Sequence, residues 1–268
     1  MKKTSYALLW TVAAIFCLGV MPGAAQMSFV VSPIRVEHQV AVGASETNVI
    51  EVRNEGKSPA RVKVYTEDWE MDRKGDVNYA RAGKGPNSCA TWIQLNPTDF
   101  RVDPGQTRQI RYTLTVPPGS KEAGYRAAIV FEGMPAGESG PGGARKVAVH
   151  GRIGVVLYET VGNPEIKAQF EDFQVRPEKQ GVTFKLTLAN KGVGNFRIKK
   201  SWISLKNSQG QEAAKVEIPD IPVLPGAVRD LEFSKELTLP KGSYVAEAVL
   251  DVGRRDFLGR KQTFNIGH

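Results

Sequence analysis

One pattern occurs twice in this chain and limits its fold more than any other feature. Val52-Arg53-Asn54-Glu55-Gly56 recurs as Leu188-Ala189-Asn190-Lys191-Gly192, each followed by a strand-like run ending near a tryptophan, Trp69 or Trp202. Val102-Asp103-Pro104-Gly105-Gln106-Thr107-Arg108 recurs as Val223-Leu224-Pro225-Gly226-Ala227-Val228-Arg229, a proline-glycine turn that feeds the next strand. Pro118-Gly119-Ser120 ahead of Tyr125 recurs as Lys241-Gly242-Ser243 ahead of Tyr244, the placing of a tyrosine corner. A chain that repeats its turns in one order is expected to repeat its fold.

The segments between the turns are short and β-like. Phe29 to His38 is the first, and Pro33 within it predicts an edge position or a switch between sheets. Asn48 to Val52 follows, then Ala60 to Trp69 with clean period-2 alternation. Asp72 to Ser88 reads as a loop with a short strand at Val77-Asn78-Tyr79. Trp92 to Leu95, Phe100 to Val102 and Thr107 to Val116 complete the first half. No segment carries an amphipathic helical stripe. About seven short strands at this spacing, twice over, predict an all-β protein of two tandem immunoglobulin-like β-sandwich domains. The boundary is expected at the turn-prone Val161-Gly162-Asn163-Pro164, giving domains 26–161 and 162–268.

Met1 to Ala25 has the build of a secretory signal: Lys2 and Lys3, an apolar run from Ala7 to Val20, and a small-residue site, Pro22-Gly23-Ala24-Ala25. Cys17 lies within that run, so only Cys89 is expected in the mature chain, which excludes an intramolecular disulfide and a cysteine zinc site. No later apolar stretch approaches the roughly 20 residues that span a bilayer. The expectation is an exported protein without a transmembrane segment. The formal charge of +8 becomes +6 without Lys2 and Lys3. The cations are scattered among acids rather than clustered with aromatics, so they read as solvated faces and no nucleic-acid partner is expected.

Ala127 to Phe131 and Val147 to Tyr158 flank a loop rich in glycine and proline, Pro135 to Arg145, and predict a long hairpin. In the second strand Val147 and Val149 point one way and Lys146, Ala148 and His150 the other. If this half overhangs its sheet, it offers unpaired backbone and a row of valines to another chain; otherwise it is an ordinary internal hairpin.

Catalytic chemistry is not indicated. His38, His150 and His268 lack companions at metal-ligand spacing, so neither a metal nor a cofactor is expected. Gly137 to Gly143 is glycine-rich, yet no helix follows to aim its amides at a phosphate. Ser88-Cys89-Ala90 carries no nucleophile signature, and Cys89 is expected to be structural and dispensable for function. An enzyme is not expected.

Trp92-Ile93-Gln94-Leu95-Asn96-Pro97, then Phe100 to Gln106 and the strand through Arg111, resemble the periplasmic pilus-assembly chaperones of the chaperone–usher pathway. So do Ser32-Pro33-Ile34-Arg35-Val36 and the segment from Phe131 to Tyr158. The resemblance implies two immunoglobulin-like domains at an angle and a periplasmic chaperone that completes a pilus or other secreted β-sandwich subunit by strand addition. It implies that a basic residue in the first strand and another in the long hairpin strand hold the subunit's C-terminal carboxylate in the cleft between domains. Arg35 stands at the first position. Gly154 stands at the second, and Arg152, two residues earlier, faces the same way and is the inferred substitute. Val147 and Val149 fall where the family places the apolar side chains lent to the subunit. The second half departs from the family: Asn190 to Phe196 stands where the family has an Asn-Pro pair accompanied by aromatics, and it is closer to generic bacterial surface domains, which leaves an outer-membrane usher open as a partner. The alternative is a secreted structural or adhesive protein with the same tandem domains.

Overall fold

The computed structural model describes residues 29–134, 151–253 and 257–267. The predicted signal segment, the loop from Pro135, and Val147 and Val149 lie outside these residues. The strands in order are β1 (Phe29–Ser32), β2 (Arg35–Val40), β3 (Ser45–Asn54), β4 (Ala60–Met71), β5 (Val77–Arg81), β6 (Ile93–Asn96), β7 (Asp99–Val102), β8 (Thr107–Thr115), β9 (Gly124–Met134) and β10 (Arg152–Val161). After Gly162 come β11 (Ala168–Glu178), β12 (Gly181–Asn190), β13 (Phe196–Arg197), β14 (Lys199–Asn207), β15 (Glu212–Glu217), β16 (Pro222–Val223), β17 (Val228–Glu236), β18 (Gly242–Asp251) and β19 (Leu258–Ile266). The only helical element among the described residues is a 3-10 turn, Ala90–Trp92, where the sequence predicts the start of a strand.

The first sandwich packs a sheet ordered β1-β3-β8-β6 against one ordered β2-β10-β9-β4-β5, with β7 also on β4. The chain changes sheet between β1 and β2, at Pro33, where a missing amide forfeits no ladder bond. The second sandwich is formed by β11-β12-β17 and β15-β14-β18-β19, with the short pair β13-β16 at one end. Each sandwich has its own core: Ile50, Val62, Ile110, Leu114, Ile129, Phe131 and Leu157 in the first, Phe184, Leu186, Ile198, Ile203, Leu205 and Leu250 in the second. The fold is two tandem immunoglobulin-like β-sandwiches.

The repeated residues build the same corner twice. Asn54 is fully buried; its Nδ2 donates to the Ser58 and Val102 carbonyls (2.8 and 2.9 Å), and its Oδ1 accepts from Gly56 N (2.8 Å). Asn190 does the same with the Gly194 and Val223 carbonyls (2.8 and 3.2 Å) and Gly192 N (3.0 Å). The turns after Val102 and Val223 each place glycine at positive φ, 73° at Gly105 and 70° at Gly226. The Tyr125 hydroxyl donates to the Lys121 carbonyl at 3.1 Å and that of Tyr244 to the Pro240 carbonyl at 2.8 Å, each four residues back. These bonds satisfy backbone groups where the strands cross from sheet to sheet.

The Asp72–Ser88 region holds more order than its polarity suggests. Asp68 is buried and accepts from the amides of Gly83, Lys84 and Gly85 (2.9, 2.6 and 2.6 Å) and from the Ser88 hydroxyl. Burial pushes its carboxyl upward, but the Ser88 hydroxyl and these amides outweigh it and hold the pKa below the usual range. The loop is wound around one carboxylate.

Candidate functional site

β10 has two halves with different neighbours. From Val156 to Val161 it runs parallel to β2, with Arg35 opposite Val156 and Val40 opposite Val161. The pairing begins where Val156 N donates to the Ile34 carbonyl at 3.1 Å. From Arg152 to Val155 it pairs only with β9, because β1 has already left for the other sheet. Among the described residues, no strand pairs with Arg152 to Val155 on the β2 side. Every second residue along that edge presents its N–H and C=O outward. In the sequence this edge follows residues 146–150, which lie outside the described residues.

Alternation divides the two faces of β10. Val155, Leu157 and Val161 enter the core of the first sandwich, while Arg152, Gly154, Val156 and Tyr158 face outward. The outer face carries Trp69, Ala128, Val130 and Tyr158, with Tyr65, Met71, Val77 and Val156 packed at its margins. Trp69 Nε1 donates to the Ala127 carbonyl at 2.8 Å, and its ring meets that of Tyr158 edge-on at 5.1 Å.

Arg35 lies on this face, 47% exposed, with Nε 3.5 Å from Glu37 Oε1. Arg152 faces the same way, as alternation requires, but stands four residues farther up β10 than Arg35, about 13 Å along the strand. It donates to Glu67 at 2.7 Å and lies over the Tyr65 ring at 5.7 Å. The structure does not bring Arg35 and Arg152 together. It also explains the missing side chain at Gly154: β5 lays Tyr79 across the face, and a Cβ at Gly154 would overlap the Tyr79 hydroxyl. The space a lysine would need is filled from another strand.

Among the described residues, the second sandwich meets this face around Leu224 and again around Glu37. Leu224, from the repeated proline-glycine turn, is buried against Trp69 and Tyr158. Beside it the Arg229 guanidinium donates through Nη1 to the carbonyls of Asp72 and Arg73 (3.1 and 2.9 Å). Arg73 returns a bidentate pair to Asp230 (3.0 and 3.1 Å), whose Oδ1 also accepts from the Thr187 hydroxyl at 2.8 Å. The β4–β5 turn is thus clasped to the start of β17.

The other place is a cleft of 390 Å3 lined by residues of both sandwiches, among them Glu37, Tyr158, Asn195, Phe196, Arg197 and Lys199. Here Glu37 is surrounded by three cations: Arg35 and Arg197 approach Oε1 at 3.5 Å each, and Lys199 approaches Oε2 at 3.5 Å. Asp220 holds Arg197 from behind at 3.0 Å. Burial raises the Tyr158 hydroxyl's pKa, against the opposing fields of Arg197 and Arg35. Sequence reasoning missed Glu37, Arg197, Lys199 and Arg229. The replacement of Asp103 in one repeat by Leu224 in the other is the signal that could have found the Leu224 contact; the cleft left no local signal.

Where β10 meets the junction it carries a buried acid. Glu159 is 0% exposed; Oε1 accepts from Val40 N at 3.1 Å, while Oε2 has no partner. Desolvation, only partly offset by the Val40 amide, raises its pKa to about 7. Asn195 of the second sandwich donates to the Glu159 carbonyl at 3.2 Å. His38 is engaged on both nitrogens, with Tyr112 at 2.8 Å and Glu46 at 3.1 Å. Cys89 is fully buried, and burial, reinforced by Glu159, pushes its thiol well above the usual range, so it is a poor nucleophile. Among the described residues no group of three His, Cys, Asp or Glu is arranged to hold a metal, and no helix is long and apolar enough to cross a membrane.

No protein-family profile matches the chain, and no curated protein matches it. Solved structures that it resembles include fimbrial chaperones. The class 5 fimbriae chaperone CfaA is 14% identical at a TM-score of 0.48, over 87% of this chain and 98% of that one. The CsuC–CsuE chaperone–tip adhesion subunit complex of Acinetobacter baumannii gives 16% and 0.45, over 87% and 98%. The SafA pilin–SafB chaperone complex of Salmonella enterica gives 13% and 0.42, over 90% and 97%.

Proposed function

We propose that this chain is a non-enzymatic periplasmic chaperone that captures secreted β-sandwich subunits of the pilus type and completes their fold with its own strand. The observation that carries the reading is the uncovered edge of β10 from Arg152 to Val155, which continues into the alternating segment Lys146 to His150. A subunit lacking one strand would pair with that edge through its backbone and take Val147 and Val149 into its apolar groove. Arg35, exposed on the same face nearer the second sandwich, would anchor the subunit's terminal carboxylate. Arg152, at the far end of the face and too far from Arg35 to share that carboxylate, would engage another acceptor of the subunit after exchanging Glu67 for the partner. On this reading Met1 to Ala25 is the export signal, 26–161 and 162–268 are the working domains, and an outer-membrane usher is a further partner.

The test is co-expression in the periplasm with pilin-like subunits encoded beside this chain. The wild type is expected to co-purify with one of them. Val147→Asp and Val149→Asp are expected to lose capture by more than about tenfold, since an unpaired carboxylate in an apolar groove costs several kcal/mol, with melting unchanged. Unimpaired capture, or variants that unfold, would count against the reading and favour a structural or adhesive protein.

A further inference from the structure

The ion pairs around Glu37 differ from the others at the junction. Arg73–Asp230 and Arg197–Asp220 close at 3.0 Å with hydrogen-bond geometry, whereas all three cations around Glu37 stop at 3.5 Å, beyond ordinary hydrogen-bond length. Glu37 is therefore held by field rather than by bonds. Its side chain is 39% exposed, so it can leave for water with little penalty. Arg197 is the opposite: its side chain is 9% exposed, fixed by Asp220, and its Nη1 has no partner. A buried guanidinium with one nitrogen left unbonded thus stands beside a loosely held acid and an open cleft.

We infer that Glu37 is a resident stand-in for an incoming carboxylate, and that Arg197 and Lys199 of the second sandwich form the wall of the cradle facing Arg35. This rests on the reading above that the partner presents a chain terminus. Capture is then an exchange of one carboxylate for another with no net change of charge in the cleft. Arg35, Arg197 and Lys199 surround Glu37, Asp220 stays engaged with Arg197, and Asp251, which lines the cleft, stays engaged with the amide of Gly253. The exchange also releases the Glu37 contacts that join the two sandwiches, so binding loosens the junction it enters.

The test uses the full chain and a defined probe, a short alternating Thr-Val peptide with a free C-terminus, beside the same peptide amidated. Glu37→Gln empties the cradle of its own charge and is expected to bind the free acid at least about tenfold more tightly than wild type, the scale of a close charge pair. Lys199→Ala, a surface change, and Arg197→Gln are expected to bind it more weakly, and the amide is expected to bind all four proteins alike. Equal or weaker binding of the free acid by Glu37→Gln, or indifference to Lys199 and Arg197, would overturn the inference. Subunit capture that is sensitive to Val147→Asp but indifferent to these three variants would sink the inference alone. Tightened peptide binding by Glu37→Gln with no subunit captured would sink the chaperone reading alone.

Discussion

The two sandwiches share one corner and use it differently. Around Asn54 and Asn190 the buried amide makes the same three bonds, and the following turn has the same glycine. In the first copy the turn opens with Asp103, exposed and paired to Arg101 at 3.0 Å, and Arg108 lies over Phe100 at the surface. In the second the equivalent positions are Leu224, buried against Trp69 and Tyr158, and Arg229, buried against the carbonyls of Asp72 and Arg73. An identical backbone device has been turned from a solvated loop into an interdomain contact by one substitution, Leu224 for Asp103, and by the burial of an arginine that both copies carry. The repeated residues carry the fold, and Leu224, which breaks the repeat, marks the interface.

The shared corner should fail equally in both copies. Asn54→Ala and Asn190→Ala each remove three hydrogen bonds of a fully buried amide and are expected to cost about 3 kcal/mol or more in urea unfolding. A loss under about 1 kcal/mol in either would break the equivalence.

The sandwiches also differ in buried charge. Among the described residues the first buries Glu159 and Asp68, and the second buries no acid. The raised pKa of Glu159 means that the folded state holds its proton more tightly than the unfolded one. Stability from this group is therefore fully present below about pH 4.5 and is lost as pH rises through about 7. Glu159→Gln, which keeps an acceptor for Val40, is expected to gain up to about 3 kcal/mol at pH 8 and almost nothing at pH 4, measured by melting across pH. A gain that does not depend on pH would show that Glu159 is not buried as a titrating acid.

Leu224→Ala is expected to cost about 2 to 3 kcal/mol and to uncouple the melting of the two sandwiches, while Asp103→Ala should change stability by less than about 0.5 kcal/mol. Arg229→Ala should cost about 1 to 2 kcal/mol by leaving two carbonyls unsatisfied, against under about 1 kcal/mol for the exposed cation–π residue Arg108. Equal effects within either pair would mean that the second turn is not an interface.

Much of this was legible in the chain. Strand alternation, the sheet switch at Pro33, the paired corners and both tyrosine contacts follow from local sequence, because each depends on residues a few positions apart or on a turn with fixed backbone demands. The 3-10 turn at Ala90–Trp92 was not legible, since an apolar run of that length serves a strand start equally well. The cleft was not legible either. Glu37 is an ordinary strand charge more than 150 positions from Arg197 and Lys199, and only the docking of two finished sandwiches brings them together. Arg152 was placed on the correct face by alternation, yet nothing local told that Tyr79 would cross two strands to fill the space at Gly154.

The claim on which the proposed function turns is that the upper edge of β10 is open to another chain. Amide hydrogen exchange at Arg152 to Val155 tests it most directly, in the free protein and after capture of a subunit. The outward-facing amides of these residues are expected to exchange rapidly in the free chain, while those of Val156 to Val161 are protected by β2, and to become protected once a subunit is bound. Slow exchange at Arg152 to Val155 in the free protein, or no change in the complex, would contradict it.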